Sequence, residues 1–242
     1  MMIPDISVVI AVWNQETYIH QAITSTFANS CKIEVIVIND GSTDNTKSIV
    51  ETITPPSNVI LTLINQDHVG NMGQTCSRAY AQTTGQYITE LGSDDYYLPL
   101  ALDALVNAMD KAPLDVGLIY SAYLSEQDGQ LTNRVTPDPS NAYYQWINNP
   151  QQRLLQNNFV TPPCAIRKEV YEKVKYDPTQ EINEDYLLKL ELSRVTNFLQ
   201  IKQPLAVLRI RDDSISNNPN TKDRMIFWEN EARRKVIERH GK

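Results

Sequence analysis

No stretch of this 242-residue sequence approaches the roughly 18 consecutive apolar residues of a membrane-spanning helix, so no transmembrane segment is expected. The opening MMIPDISVVIAVWNQE has no basic region ahead of its strand-length apolar run, and reads as neither a signal peptide nor an anchor. Cysteine is scarce. Cys31, Cys76 and Cys164 are odd in number, widely spaced and without a CxxC pair, which argues against a disulfide framework or a zinc cluster and fits a reducing cytoplasm. Basic residues form no block, and 22 Lys and Arg against 29 Asp and Glu give a net charge of -7, so nucleic acid is not an expected partner. GxGxxG and GxxxxGK[ST] are both missing, which disfavours a dinucleotide fold and a P-loop. His20, His68 and His240 are scattered with no HExxH, which argues against a zinc hydrolase. There is no internal repeat and no low-complexity tract.

What is present is a core-forming chain, 41% hydrophobic, in which β-branched runs alternate with helical periodicity. The runs at 6–13, 34–40, 59–65 and 86–91 read as strands, and another reads at 116–123. Between the first two, Tyr18, Ile19, Ala22, Ile23, Thr26 and Phe27 recur at helical spacing. Ser42 or Thr43 is placed to cap a helix carrying Ile49, Val50 and Ile53, and Pro99 suits the start of a helix over 98–112. This alternation predicts an α/β fold with a mostly parallel central sheet flanked by helices. The second half reads as a polar connection over 125–141, a helix over 183–193, a last strand over 205–211, a mobile loop over 212–223 and an amphipathic helix over 224–240.

In an open α/β sheet, ligands gather at the carboxyl ends of the strands. Three polar features fall there: Trp13-Asn14, then Asn39-Asp40-Gly41-Ser42-Thr43-Asp44, then Gly92-Ser93-Asp94-Asp95. The last is the most unusual, because adjacent carboxylates repel unless something offsets them. A bound cation, or a polyanion carrying one, is the first candidate. An acidic helix N-terminus would account for one of the two through the macrodipole.

The ordered segments SVVIAVWNQETYIHQAI, VIVINDGSTDNT, HVGNMGQTCSRAYAQTTGQYITELGSDDYYLP and NEDYLLKLEL resemble the family 2 glycosyltransferases, inverting enzymes of the GT-A fold that use nucleotide-sugar donors. The resemblance spans roughly residues 5–216. It implies one domain over 1–242, with a Rossmann-like nucleotide-sugar-binding half at 1–123, an acceptor-binding and catalytic half at 124–216, and a terminal loop and helix at 217–242.

The resemblance also implies roles. Ala11, Trp13, Asp40, Arg78, Ser93 and Arg211 would meet the nucleotide, with Trp13 stacking on the base and Asp40 accepting from N3–H of uracil or thymine. Arg78 would approach the base or the diphosphate, a surface salt bridge being the competing reading. Asp94 would hold Mn2+ or Mg2+ against the diphosphate, supported by Asp95. Asp185 would be the general base that deprotonates the acceptor, with Glu184 as the runner-up. The expected partners are a nucleotide-sugar donor, UDP-linked or dTDP-linked, and a saccharide, lipid-linked or protein acceptor.

Two departures bear on these roles. Gly92 stands where the family commonly carries the first DxD acid, and Arg211 stands where RxHxxSxS has its histidine. A guanidinium cannot ligate a metal, so metal binding is expected to depend on few protein ligands and to be weak without donor; Arg211 would bind phosphate instead. The loop over 212–223 is expected to close on the diphosphate. The terminal helix, with Met225, Ile226, Phe227 and Trp228 beside Arg233, Arg234 and Lys235, suggests contact with a membrane surface or a partner, or packing on its own domain. A sugar nucleotidyltransferase and a noncatalytic nucleotide-sugar-binding domain are the alternatives; the former lacks a Gly-rich basic loop near the first strand.

Overall fold

A computed structural model of the protein describes residues 3–136, 146–147, 150–160, 162–214 and 218–241. The strands are β1 (Ile6–Val12), β2 (Ile33–Asp40), β3 (Val59–Gln66), β4 (Tyr87–Glu90), β5 (Tyr96–Tyr97), β6 (Val116–Gln127), β7 (Gln130–Thr136), β8 (Trp146–Ile147), β9 (Cys164–Arg167) and β10 (Asn197–Ile210). The helices are α1 (Ile19–Thr24), α2 (Thr46–Thr52), α3 (Met72–Tyr80), α4 (Ala101–Lys111), α5 (Gln151–Leu154), α6 (Lys168–Val174), α7 (Glu184–Leu192) and α8 (Lys222–His240). One sheet runs β3-β2-β1-β4-β9-β6-β10-β5, with β7 beside β6 and β8 beside β10.

Strand periodicity explains the two cores. Along β1 and β2, Val8, Ile10, Val35 and Val37 point to a face covered by α1, α2 and α4, and Val9, Ile36 and Ile38 point to a face covered by α3, α6, α7 and α8. Both faces are buried, so these strands are apolar throughout, as parallel strands tend to be. The pairs β1–β2, β2–β3 and β1–β4 are parallel, which brings the loops after β1, β2 and β4 to one edge of the sheet.

The second half departs from the sequence expectation. The 125–141 stretch is not a plain connection over its described part: β6 continues to Gln127, turns at Asp128-Gly129 and returns antiparallel as β7. The short β9, unread in the sequence, lies antiparallel between β4 and β6, so the sheet is parallel in its first half and mixed in its second. The last strand begins at Asn197, well before 205, and shifts register around Pro204, which has no N–H for the ladder. Pro99 precedes α4 by two residues, and Leu100, in the left-handed region, is its N-cap. Ser42 and Thr43 do not cap α2. Asn45 is the N-cap, while the Asp44 carboxylate accepts from the Thr46 amide.

No helix among the described residues is long and apolar enough to cross a membrane. The terminal helix packs on its own protein: Ala232 and Val236 are buried, Arg239 pairs with Asp177 and Glu191, and Lys235 pairs with Asp177. Ile226 and Phe227 stay exposed on it. Of the loop expected over 212–223, residues 215–217 lie outside the described residues, as does Ser216 of the late motif; Pro219–Thr221 form a 3-10 turn leading into α8.

Candidate active site

The loops after β1 and β2 clasp each other. Asn14, at a positive φ of 50°, donates its amide to Ser42 Oγ and accepts from the Thr43 amide, and Glu16 accepts from the Asn45 amide. The Thr43 hydroxyl also donates to the Asn14 side-chain oxygen, at 3.4 Å, so both side chains that sequence assigned to capping are engaged with the β1 loop. Trp13 is 51% exposed and stacks on His68, with ring centroids 4.7 Å apart. Ala11 lies half-buried on β1 beside Ile38.

Asp40 ends β2 and is buried. Its Oδ1 accepts from Gln66 Nε2 at 2.6 Å and from the Val69 amide at 3.0 Å, and its Oδ2 accepts from the Gly70 amide at 3.2 Å. His68 Nδ1 lies 2.9 Å from both the Asp40 carbonyl oxygen and Oδ2. Both neighbours are acceptors, so Nδ1 carries the proton. Burial raises the Asp40 pKa, but these donors outweigh it and hold the carboxyl below its ordinary range. Gly41, at φ 68°, makes the turn, and a Cβ there would stand 2.6 Å from the His68 amide nitrogen. Arg78 makes no salt bridge among the described residues; it donates to Gln66 Oε1 at 3.1 Å and so fixes the amide that holds Asp40.

The Asp94-Asp95 pair sits under two arginines. Arg209, the penultimate residue of β10, donates its amide to Asp95 Oδ1 at 2.8 Å, while its guanidinium bonds the Asp94 carbonyl, Glu126 Oε1 and Gln21 Oε1. That guanidinium also lies over the rings of Tyr18 and Tyr96. Arg211 NH1 reaches Asp94 Oδ2 at 3.2 Å and Gln15 Oε1 at 2.9 Å, its Nε and NH2 fork onto Asp213, and it covers Tyr18. Asp95 is drawn inward, and burial together with the Asp94 charge raises its pKa to about 7. Ser93 is half-buried between these groups and Gly92. A Cβ on Gly92 would lie 2.5 Å from Asp95 Oδ2, which gives a physical reason for glycine there. The repulsion that the sequence left unexplained is thus offset in part by guanidinium groups.

A second acidic cluster lies on the α7 side of β4. Glu184 is buried at the first position of α7, and burial, Asp185 and Glu90 together push its pKa well above the carboxylate range. Asp185 is 40% exposed and pairs with the buried Lys189, one turn on, at 2.6 Å. Burial disfavours the Lys189 charge, but Asp185 outweighs it and the ammonium pKa is raised. Sequence reasoning missed Lys189 and Glu90. Glu90 accepts from Tyr176 OH at 2.6 Å and Tyr80 OH at 3.2 Å, and burial raises its pKa. The signal was available: Glu90 falls two residues after the core residue Ile88, so alternation turns an acid inward.

Two donor sets are candidates for a metal. Cys76, Glu90 and Glu184 offer ligand atoms within 4.8 Å of one another, and burial raises the pKa of both carboxyls and of the Cys76 thiol, which disfavours the charged, ligating form of each. Asp94 offers hard oxygen, with Oδ2 facing Arg211. Mg2+ and Mn2+ take one or two carboxylates and complete their shell with water and substrate phosphates, so Asp94 fits such an ion if the donor supplies most ligands.

The family model described as glycosyl transferase family 2 matches residues 7–175. A "GalNAc(5)-diNAcBac-PP-undecaprenol beta-1,3-glucosyltransferase" of Campylobacter jejuni is 29% identical over 130 residues, 53% of this chain and 41% of that protein. An uncharacterised glycosyltransferase of Rickettsia prowazekii is 31% identical over 137 residues, 56% of this chain and 42% of that protein. The chain therefore spans less than half the length of these curated relatives. Among solved structures, S. aureus TarS 1-349 in complex with UDP-GlcNAc superposes with a TM-score of 0.73 at 16% identity, over 98% of this chain and 72% of that one. The mannosyltransferase PcManGT of Pyrobaculum calidifontis, in complex with GDP-Man and Mn2+, gives 0.66 at 17%, over 93% and 63%. At these identities the likeness is one of fold, the GT-A fold.

Proposed function

Because the chain belongs to glycosyl transferase family 2, we propose that it moves a sugar from a UDP-sugar, or less readily a dTDP-sugar, to an acceptor hydroxyl with inversion at the anomeric carbon. The observation that carries this reading is the meeting, at one edge of the sheet, of an exposed indole, a buried ionised carboxylate and an acid pair faced by arginine.

Trp13 keeps half its surface exposed even with His68 on it, enough for a pyrimidine ring. Asp40 would accept from N3–H, which uracil and thymine have and cytosine lacks; since its oxygens already take four donors, the base replaces one of them, with His68, whose ring lies on Trp13, the side chain placed to move. Ala11 and Ser93 line the base and ribose, and Arg78 acts through Gln66. Asp94, with Asp95 behind it, would hold Mn2+ or Mg2+, which neutralises the departing diphosphate when bound. Asp185 takes the acceptor hydroxyl proton as that oxygen bonds to the anomeric carbon and the carbon–diphosphate bond breaks, its electron pair leaving with UDP. Lys189 orients Asp185, whose carboxylate is open to an acceptor, whereas Glu184 is buried beside it.

The Campylobacter relative's name, with its undecaprenol-linked saccharide, supports a lipid-linked saccharide as acceptor; we place this transfer in glycoconjugate or polysaccharide biosynthesis at the cytoplasmic face of a membrane. Calorimetry with UDP, dTDP, CDP and GDP in Mn2+, followed by NMR of the product from the matching sugar nucleotide, tests the proposal. Tightest binding of UDP and an inverted linkage are expected. Preference for CDP or GDP overturns the base assignment, retention overturns the displacement, and binding without transfer or hydrolysis makes this a noncatalytic nucleotide-sugar-binding domain.

A further inference from the structure

We propose that Arg211 is a tethered counter-ion for Asp94, drawn off by the donor diphosphate, so that Asp94 is open to a divalent ion only once nucleotide has arrived. The inference rests on the functional reading above and deepens it by assigning Arg211 a positioning role.

The two arginines beside the acid pair differ in how firmly they are held. Arg209 donates to the Asp94 carbonyl, Glu126 and Gln21 and lies between two tyrosine rings, so its guanidinium is built into the wall of the site. Arg211 stands just past the end of β10; it shares the Tyr18 ring, and among the described residues its guanidinium hydrogen-bonds only to side chains, Asp94, Gln15 and Asp213. Asp213 is 72% exposed, so the stronger half of this grip is itself in water. Burial disfavours the Arg211 charge, but Asp213 and Asp94 outweigh it, and the guanidinium remains a cation.

A guanidinium at 3.2 Å and a divalent ion cannot both use Asp94 Oδ2 without placing two cations against one carboxylate oxygen. Asp95 offers little relief, because its Oδ1 is taken by the Arg209 amide. A diphosphate changes the balance. It presents pairs of oxygens that take the Arg211 fork as an aspartate does but carry more negative charge, and it brings ligands that complete a hard ion's shell. Turning Arg211 to phosphate frees Asp94 at the moment the ion gains its other ligands. The coupling is reciprocal: the factor by which UDP tightens Mn2+ is the factor by which Mn2+ tightens UDP.

The test counts bound Mn2+ by electron paramagnetic resonance, without nucleotide, in the wild type, Arg211→Met, Arg211→His and Asp94→Asn, with circular dichroism melts to establish that each is folded. The wild type is expected to bind Mn2+ at least ~10-fold more weakly without UDP than with it, within the usual range of coupling. Arg211→Met and Arg211→His should tighten nucleotide-free Mn2+ binding about fivefold or more, the His variant most, and Asp94→Asn should abolish it in every background. Unchanged nucleotide-free affinity in both Arg211 variants overturns the inference, as does equal Mn2+ affinity in the wild type with and without UDP. Failure to bind UDP at all would instead overturn the functional reading, while the nucleotide-free comparison still reads out on Arg211.

Discussion

Asp94-Asp95, in the turn before β5, and Glu184-Asp185, at the start of α7, are both adjacent acids, and the fold treats them alike. In each pair one member, Asp94 or Asp185, keeps a more open carboxylate and an ion-pair partner, Arg211 or Lys189. The other, Asp95 or Glu184, is drawn inward and its pKa is raised by burial and by its charged neighbour. Adjacent carboxylates are thereby kept from both being charged and buried. The cations differ: Lys189 is 5% exposed and fixed one helical turn away, whereas Arg211 hangs from a loop residue. A rigid cation suits a carboxylate that must hold one orientation, and a movable one suits a carboxylate that must change partners.

The sharpest break of this comparison is at α7. Asp185→Asn should lower kcat by about 10²–10⁴ with UDP affinity unchanged within about twofold, because the proposed base is lost and the donor contacts are not. Glu184→Gln should cost less than about fivefold, since a neutral amide resembles the protonated acid. Equal losses in the two variants, measured as initial rates of sugar transfer, would remove the distinction between open and buried members.

The two pairs were unequally legible in the sequence. Both stood out as adjacent acids, and apolar runs placed β1 to β4 and the loops that follow them. What was hidden lay in long-range pairing. Arg209 and Arg211 reach Asp95 and Asp94 from more than 110 residues away, and no local pattern announces that contact. β9 is four residues long, too short for periodicity to mark, and it interrupts the parallel order between β4 and β6. β7 lies beside the end of β6, with polar residues among its apolar ones, so its composition resembles a loop. Glu90 was readable by alternation, but its meeting with Tyr80, Tyr176 and Glu184 depends on how α3 and α7 pack on the sheet.

A second break targets the fixed cation. Lys189→Met fills similar volume but leaves Asp185 without its partner beside Glu90 and Glu184. Full burial of an orphaned charge would cost about 3–5 kcal/mol; with Asp185 40% exposed, water replaces part of the lost partner, and about 1–3 kcal/mol is expected. Urea unfolding measures this directly. Arg211→Met, whose cation is held by side chains on a loop, should cost less than about 1 kcal/mol in the same assay. A larger loss at Arg211 than at Lys189 would reverse the assignment of rigid and movable partners.

The smallest effect is a slope. Asp95 has a folded pKa of about 7 against an ordinary value near 4, so between those values the folded protein binds more protons than the unfolded chain. Stability from this group is therefore fully present below about pH 4 and lost as pH rises through about 7. Asp177 has the opposite sign: its pKa falls to about 2 because bonds from Thr179 and Arg239 outweigh burial, so its contribution is present above about pH 4 and lost as pH falls through about 2. Asp95→Asn keeps an oxygen for the Arg209 amide and removes the titration, so its stability, followed by urea midpoints from pH 5 to 8, should decline less steeply than the wild type's. Glu184→Gln should flatten the profile in the same sense, because the buried member of each pair holds its proton for the same reason. An unchanged decline in either variant would mean that the inner acid is charged in the folded protein, and that its pair is balanced by the arginine or lysine alone.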